Sequence, residues 1–311
     1  MDISIIIPVY NEEKNIQLLY ERLTSVMQKM GVVYEFVFVN DGSRDRSIDL
    51  IKQLSKNHAE VKYIDFSRNF GHQIAVSAGL DGAVGNAVVI IDADLQDPPE
   101  LIAEMYAKMK SGYEVVYAKR RRRKGENFMK LITAKLFYRI LSRITTISIP
   151  LDTGDFRIID RKVVDVLNSM PEKHKFLRGQ ISWIGFNQTF VEYDRSERHE
   201  GETGYTYRKM IRFALDGITA FSDLPLKMVT IFGVVVSVFA FLTAVYTLYA
   251  RLFLDDYVPG WASIILSVLF IGGIQMIALG IIGEYLSRMN SNIRNRPLYI
   301  IRDSNIGSNK D

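Results

Sequence analysis

Asp92-Ala93-Asp94 closes an apolar, β-branched run over residues 88–91. Two carboxylates at i and i+2 on a strand end can both reach one hard cation. Mg²⁺ and Mn²⁺ take oxygen ligands, carboxylates together with substrate phosphates. An ion held by Asp92 and Asp94 would neutralise charge growing on a departing diphosphate. Aspartates favour strand-end turns in any fold, so the pair gains weight only from where it falls. Asn40-Asp41-Gly42-Ser43-Arg44-Asp45 is a second such segment. Asp41 can accept hydrogen bonds from a nucleobase or ribose, and Gly42 permits the turn. Asp45 reads better as the N-cap of a helix starting near Ser47. Pro8-Val9-Tyr10-Asn11-Glu12 is a third, offering backbone donors and an aromatic wall for a base. His58, His72, His174 and His199 are isolated, no pair has metal-ligand spacing, and they read as structural or surface residues.

The elements that must position these residues alternate. Residues 3–9, 36–40, 61–66, 87–91 and 114–118 read as strands. Helix-period apolar residues mark 12–30, 47–57, 73–82 and 99–110 between them. That alternation predicts an α/β fold with a mainly parallel sheet and helices on both faces. Ligands in such sheets lie beyond the C-terminal strand ends, which points to residues 8–12, 40–45, 67–69 and 92–97. The aspartate pair therefore falls where the sheet places a ligand.

Beyond residue 118 the character changes. Lys119 to Lys124 are six consecutive basic residues. A helical pattern follows over 126–147, with Met129, Ile132, Leu136, Ile140 and Ile144 apolar and Lys130, Lys135, Arg139 and Arg143 interleaved. A basic amphipathic helix of this kind is expected to lie on anionic lipid, as is a second one near 206–222. Residues 228–249 and 261–283 contain no charge, and each stretch is long enough at about 1.5 Å per residue to cross a hydrocarbon core of about 30 Å. Arg208, Lys209, Arg212 and Lys227 precede the first, and Arg288, Arg294 and Arg296 follow the second. The positive-inside bias then places both termini in the cytosol and the short loop outside. The expected organisation is a cytosolic catalytic domain over 1–225, a two-helix membrane hairpin over 226–290, and a cytosolic tail over 291–311 that is polar and frayed after Arg302.

The chain has 311 residues, a net charge of +4 and no cysteine, with a pI of about 9.0. The absence of cysteine excludes disulfides, thiolate metal sites and cysteine nucleophiles. The basic excess suits anionic partners. The N-terminal apolar run is short, lacks a basic leader and meets Pro8, so it reads as a strand rather than a secretory signal.

Three segments in order, Ile-Pro-Val-Tyr-Asn-Glu, Val-Asn-Asp-Gly-Ser-Arg-Asp and Asp-Ala-Asp-Leu-Gln-Asp-Pro-Pro-Glu, resemble glycosyltransferase family 2. Within it the chain is most similar to the polyisoprenyl-phosphate glycosyltransferases, including bactoprenol glucosyltransferases and dolichyl-phosphate mannose synthases. Ser67-Arg68-Asn69-Phe70-Gly71, Phe176-Leu177-Arg178-Gly179 and Arg198-x-x-Gly201-x-Thr203-x-Tyr205 match that subgroup too, although the subgroup often has Ser-Lys at Thr203-Gly204. The resemblance implies a GT-A nucleotide-diphospho-sugar transferase fold and an inverting transfer that depends on Mn²⁺ or Mg²⁺. It implies nucleotide contacts from Pro8, Tyr10, Glu12, Asp41, Asp92 and Ala93, and places Asp94 on the metal and Gln96 beside the diphosphate or sugar. Asp155, in Asp152-Thr153-Gly154-Asp155-Phe156-Arg157, matches the acceptor-side carboxylate, the family's candidate base. Arg120, Lys130, Arg157, Arg178 and Arg198 lie in matched or neighbouring segments and suit an acceptor phosphate. Arg120 is the best placed of the basic run. The partners so implied are a nucleotide-diphosphate sugar, a polyprenyl phosphate and the membrane, with no nucleic acid. Family members often assemble as tetramers.

By resemblance the donor is UDP-glucose and the acceptor undecaprenyl phosphate, with GDP-mannose, UDP-N-acetylglucosamine and aminoarabinose donors as alternatives. A nicotinamide enzyme is disfavoured because no Gly-x-Gly-x-x-Gly follows the first strand. A processive synthase is disfavoured because Gln180-Ile181-Ser182-Trp183 lacks the arginine-tryptophan pair of Gln-x-x-Arg-Trp. An inactive membrane subunit is disfavoured because Asp92, Asp94 and Asp155 are all present.

Overall fold

The computed structural model describes residues 1–121, 153–194, 224–253 and 260–307. The amphipathic stretches expected at 126–147 and 206–222, with Lys130 and Arg198, lie outside them. Strands β1 (Ile3–Val9), β2 (Tyr34–Asn40), β3 (Val61–Phe66) and β4 (Ala87–Ile90) alternate with helices α1 (Ile16–Met30), α2 (Ser47–Asn57) and α3 (His72–Gly82). Helix α4 (Leu101–Lys110) then leads into β5 (Val115–Arg120). Every residue of β1 is buried, as a central strand covered on both faces must be. On α1, Ile16, Leu19, Leu23 and Met27 make the buried stripe. Gly31 ends that helix in the left-handed region at φ 64°, where its N–H meets the carbonyls of Met27 and Gln28.

The alternating part forms as its pattern implies, with boundaries shifted by a few residues. The second half adds β6 (Thr153–Asp160), α5 (Arg161–Ser169), α6 (Leu177–Ile184) and β7 (Gln188–Tyr193), which the pattern reading leaves unassigned. Strand β6 enters antiparallel between β4 and β5, and Phe156, Ile158 and Ile159 are fully buried there. Two long helices follow, α7 (Leu224–Phe253) and α8 (Trp261–Ile293), and then β8 (Ile301–Ser304). The sheet order is β7-β5-β6-β4-β1-β2-β3-β8, with β8, like β6, antiparallel to its neighbours.

Strand β8 corrects the expected frayed tail. Ile301–Ser304 pairs with the edge strand β3, so the catalytic sheet takes a strand from beyond the two long helices and does not end near residue 225. Tyr299 stacks on Phe66 with ring centroids 5.1 Å apart and donates its hydroxyl to Asp81. Asp303 takes Lys52 at 2.5 Å and the Tyr63 hydroxyl at 3.0 Å. The composition is polar because one side of an edge strand faces water, not because the segment lacks partners.

Helices α7 and α8 are long and apolar enough to cross a membrane. They are not core helices: Phe239 is 72 % exposed and Met276 70 %. An apolar surface of that extent needs lipid or protein against it. Helix α8 runs ten residues past the expected span end at Gly283, to Ile293.

Candidate active site

The parallel strands β1, β2, β3 and β4 end at one edge of the sheet, and the loops there are tied to one another. The Asn11 N–H donates to Ser43 Oγ (3.0 Å), the Glu12 N–H to Ser47 Oγ (2.9 Å) and the Glu13 N–H to Asp45 Oδ2 (3.1 Å). The Arg44 N–H donates back to Asn11 Oδ1 at 2.8 Å. Asp45 also accepts the Ser47 N–H at 3.0 Å, but the N-cap of α2 is Arg46, so Asp45 braces the turn one residue before the cap expected of it. Glu12 accepts from Asn15. Pro8 lies buried within β1, whereas Tyr10 is 44 % exposed at its end, where a ring can stack on a base.

Asp41 is buried and accepts the N–H groups of Phe70 (2.6 Å) and Gly71 (3.0 Å). Burial pushes its carboxyl up, against the opposing pull of those two bonds. Its first task is thus to hold the 67–71 loop against β2. Gly42 completes the junction: at φ 66° a Cβ would lie 2.5 Å from the backbone of Arg68 and Asn69.

Beyond β4, Asp92, Ala93, Asp94, Gln96 and Asp97 share one loop, whose turn passes through Leu95 at φ 59°. Asp94 Oδ1 accepts the Gln96 N–H at 3.2 Å. Asp92 Oδ1 is buried and takes no hydrogen bond; His72 Nε2 lies 3.6 Å from it. Burial raises the Asp92 carboxyl to about 6; His72 opposes this, and Asp155, Asp97 and Asp94 add to it.

Strand β6 brings Asp155 into the same space. Asp155 Oδ1 takes Arg178 Nε at 2.8 Å and lies 3.6 Å from Arg157 Nη2. Oδ2 faces His72 Nε2 at 3.2 Å and Gln73 Nε2 at 3.3 Å. Burial would raise this carboxyl, but Arg178 and His72 hold it well below the usual carboxylate range. Burial opposes the charge on His72 too, yet the bond to Asp155 and the fields of Asp92 and Asp155 push it up to about 9. His72 thus bridges two carboxylates, whose fields favour its charged form, and is not an isolated side chain. The signal was near: the strand-end rule singles out 67–69, and the matched segment Ser67 to Gly71 ends directly before His72 and Gln73.

Arg157 is almost fully buried and donates to the carbonyls of Gly154 and Asp155, so it shapes the loop before it meets any ligand. Arg120 approaches Gly154 so closely that a Cβ there would lie 2.9 Å from its Nη2. Arg120 Nε donates to the Tyr193 hydroxyl at 3.4 Å, and that hydroxyl donates to Asp97. This chain connects the basic residue after β5 to the acidic loop after β4. Tyr193 carries no local signal; it arrives because β7 pairs with β5.

The residues fit a divalent ion. Among the described residues no cluster of three metal-type side chains closes by itself. Asp92 and Asp94 offer an acidic edge with one buried oxygen lacking a donor, and a diphosphate would complete the oxygen set.

The family model described as glycosyl transferase family 2 matches residues 4–167, from β1 through most of α5. An uncharacterized glycosyltransferase, YkcC of Bacillus subtilis, is 54 % identical over 97 % of this chain and 93 % of its own length. The SfII prophage-derived bactoprenol glucosyl transferase of Shigella flexneri is 39 % identical over 99 % of this chain and all of its own length. A prophage bactoprenol glucosyl transferase homolog of Escherichia coli K12 is also 39 % identical, over 97 % and 99 % of the two chains. On the match across the sheet and site, and on relatives spanning nearly its whole length, the chain belongs to glycosyl transferase family 2 and is a glycosyltransferase of the GT-A type.

Proposed function

We propose that the enzyme transfers a single glucose from UDP-glucose to undecaprenyl phosphate at the cytosolic membrane face, with inversion and with Mn²⁺ or Mg²⁺ bound. The observation that carries this is Asp155, a partly buried carboxylate ringed by Arg178, Arg157 and His72, beside the Asp92–Asp94 edge in a chain with two membrane-length helices. The names of the relatives in Shigella and Escherichia support the sugar and the lipid. Positive flanks at Arg288, Arg294 and Arg296 support cytosolic termini.

In this reading Tyr10 and the tied loops after β1 and β2 hold the uridine, and Gln96 lies beside the diphosphate. Asp92 and Asp94 hold the metal, which when bound neutralises charge on the departing diphosphate. The acceptor is a phosphate monoester with a second pKa near 6, already ionised at neutral pH. One of its oxygens attacks the anomeric carbon, the bond to the diphosphate oxygen breaks, and the nucleotide leaves with that electron pair. No strong base is needed. Asp155, held ionised by its cations, is a poor proton acceptor but a firm anchor for Arg178, whose guanidinium suits the acceptor oxygens. Arg120 closes the basic side, and Lys130 and Arg198 are proposed to join it.

The test is a panel of radiolabelled donors given to purified full-length protein with undecaprenyl phosphate and Mn²⁺ or Mg²⁺. Label should enter the lipid phase from UDP-glucose, as one sugar per lipid, and stop on chelation. Label from GDP-mannose, UDP-N-acetylglucosamine or an aminoarabinose donor instead would reassign the sugar. No transfer from any donor would end the proposal.

A further inference from the structure

A pocket of about 330 Å³ opens between the catalytic domain and the last turns of α8. Three of its lining residues are cations, Lys173, Arg294 and Arg296, and three more, Ser287, Asn290 and Ser291, bear hydroxyl or amide donors; no carboxylate lines it. The α8 C-terminus contributes about half a negative charge, which three cations outweigh. The walls are fixed to each other: the Lys173 N–H donates to Asn292 Oδ1 at 3.1 Å, and His174 Nε2 lies 3.0 Å from Ser291 Oγ.

The depth of this pocket indicates its ligand. Ser287 is four residues past Gly283, the end of the uncharged stretch, which is about 6 Å along a helix axis. The headgroup layer outside the hydrocarbon is about 5–7 Å thick on each side. The near rim therefore lies at the outer edge of the headgroup layer, and Arg294, eleven residues past Gly283, stands about 16 Å along the axis on the aqueous side, from where its long side chain points back to the rim. Basic pockets at that depth take phosphate headgroups, with arginine forks on the phosphate oxygens. The proposed function puts the acceptor phosphate at Arg178 and Arg120, neither of which lines this pocket, so the two sites are distinct.

We propose that this pocket binds the phosphodiester headgroup of an anionic membrane phospholipid and so fastens the end of α8 to the catalytic domain. The proposal rests on α7 and α8 spanning the membrane. Ile74, on the pocket wall, adjoins Gln73, which holds Asp155, so a filled pocket also braces the first turn of α3.

The test uses the full chain in detergent micelles, titrated with phosphatidylglycerol and counted by native mass spectrometry. The wild type should retain one phosphatidylglycerol in preference to phosphatidylcholine. Arg294→Gln with Arg296→Gln should weaken that retention about 25-fold, two charges at roughly fivefold each. Arg294→Lys with Arg296→Lys should keep most of it, and Lys173→Gln alone should weaken it about fivefold even if the double variant is unstable. Unchanged retention in the glutamine variants would overturn the proposal, as would equal occupancy by inorganic phosphate, which would make the ligand a soluble anion. A chain stripped from membranes by alkaline carbonate would defeat the membrane reading and this site together. A chain that stays in the membrane without lipid preference would defeat the site alone.

Discussion

Replacing Asp155 by asparagine keeps the side chain's shape and removes one negative charge from among three cations. Solvent screens the cluster unevenly: the side chains of Asp155 and Arg157 are 15 % and 6 % exposed, but those of Arg178 and His72 are 26 % and 41 %, which weakens their pairs. Removing one partner of a buried ion pair costs about 3–5 kcal/mol. His72 can release its proton once the carboxylate is gone, which relieves part of that, so we expect a loss of about 3 kcal/mol, at the low end of that range. The pH window follows from the two directions. A carboxyl held below its unfolded value near 3.9 contributes fully above about pH 4, and its share is lost as pH falls through the lower folded value. His72, raised to about 9, contributes fully below its unfolded value near 6.5, and its share is lost as pH rises through 9. The stability gap between wild type and Asp155→Asn in urea unfolding should therefore be widest between about pH 4 and 6.5 and narrow on both sides. Turnover at pH 7, assayed by label entering lipid at saturating substrates, should fall about 10²- to 10³-fold, the size of losing one preorganised electrostatic group. UDP-glucose affinity, measured by calorimetry, should change little. Near-full turnover in Asp155→Asn would refute both an orienting and a proton-accepting role.

Gly42→Ala would press a Cβ to 2.5 Å from the Arg68–Asn69 backbone, so the 67–71 loop must move. We expect about 2 kcal/mol of destabilisation and a raised KM for donor, read in unfolding curves and initial rates. Tyr193→Phe removes the hydroxyl between Arg120 and Asp97. It should cost about 1 kcal/mol and lower turnover without altering lipid extraction of the product; full activity would show that the connection is idle. Tyr299→Ala strips the ring stacked on Phe66 and the bond to Asp81, and should cost about 2 kcal/mol. Hydrogen exchange should then rise in β8 and β3 before any other strand.

Much of the site was legible because parallel strands announce themselves one at a time. The apolar runs at 3–9 and 87–91 mark strand ends without any long-range information, and the side chains just past them, Tyr10, Asp41, Asp92 and Asp94, fall at the sheet edge by rule. His72 was missed because an isolated histidine has no spacing to read; its importance comes from Asp92 and Asp155 approaching from two other strands. Tyr193 and the Arg120 contact were missed because β7 and β6 join the sheet out of chain order.

The sequence by itself determined the family, the alternating half of the sheet, the acidic edge and the two membrane-length helices. Each of these is a local property, written in residues a few positions apart. Tertiary structure alone decided that Asp155 stands among cations, that Asp41 braces a loop, and that the tail returns as an edge strand. These outcomes depend on which strands pair across gaps of tens to hundreds of residues. Such pairing is governed by burial and hydrogen bonding summed over the whole sheet, and no short window of sequence contains that sum.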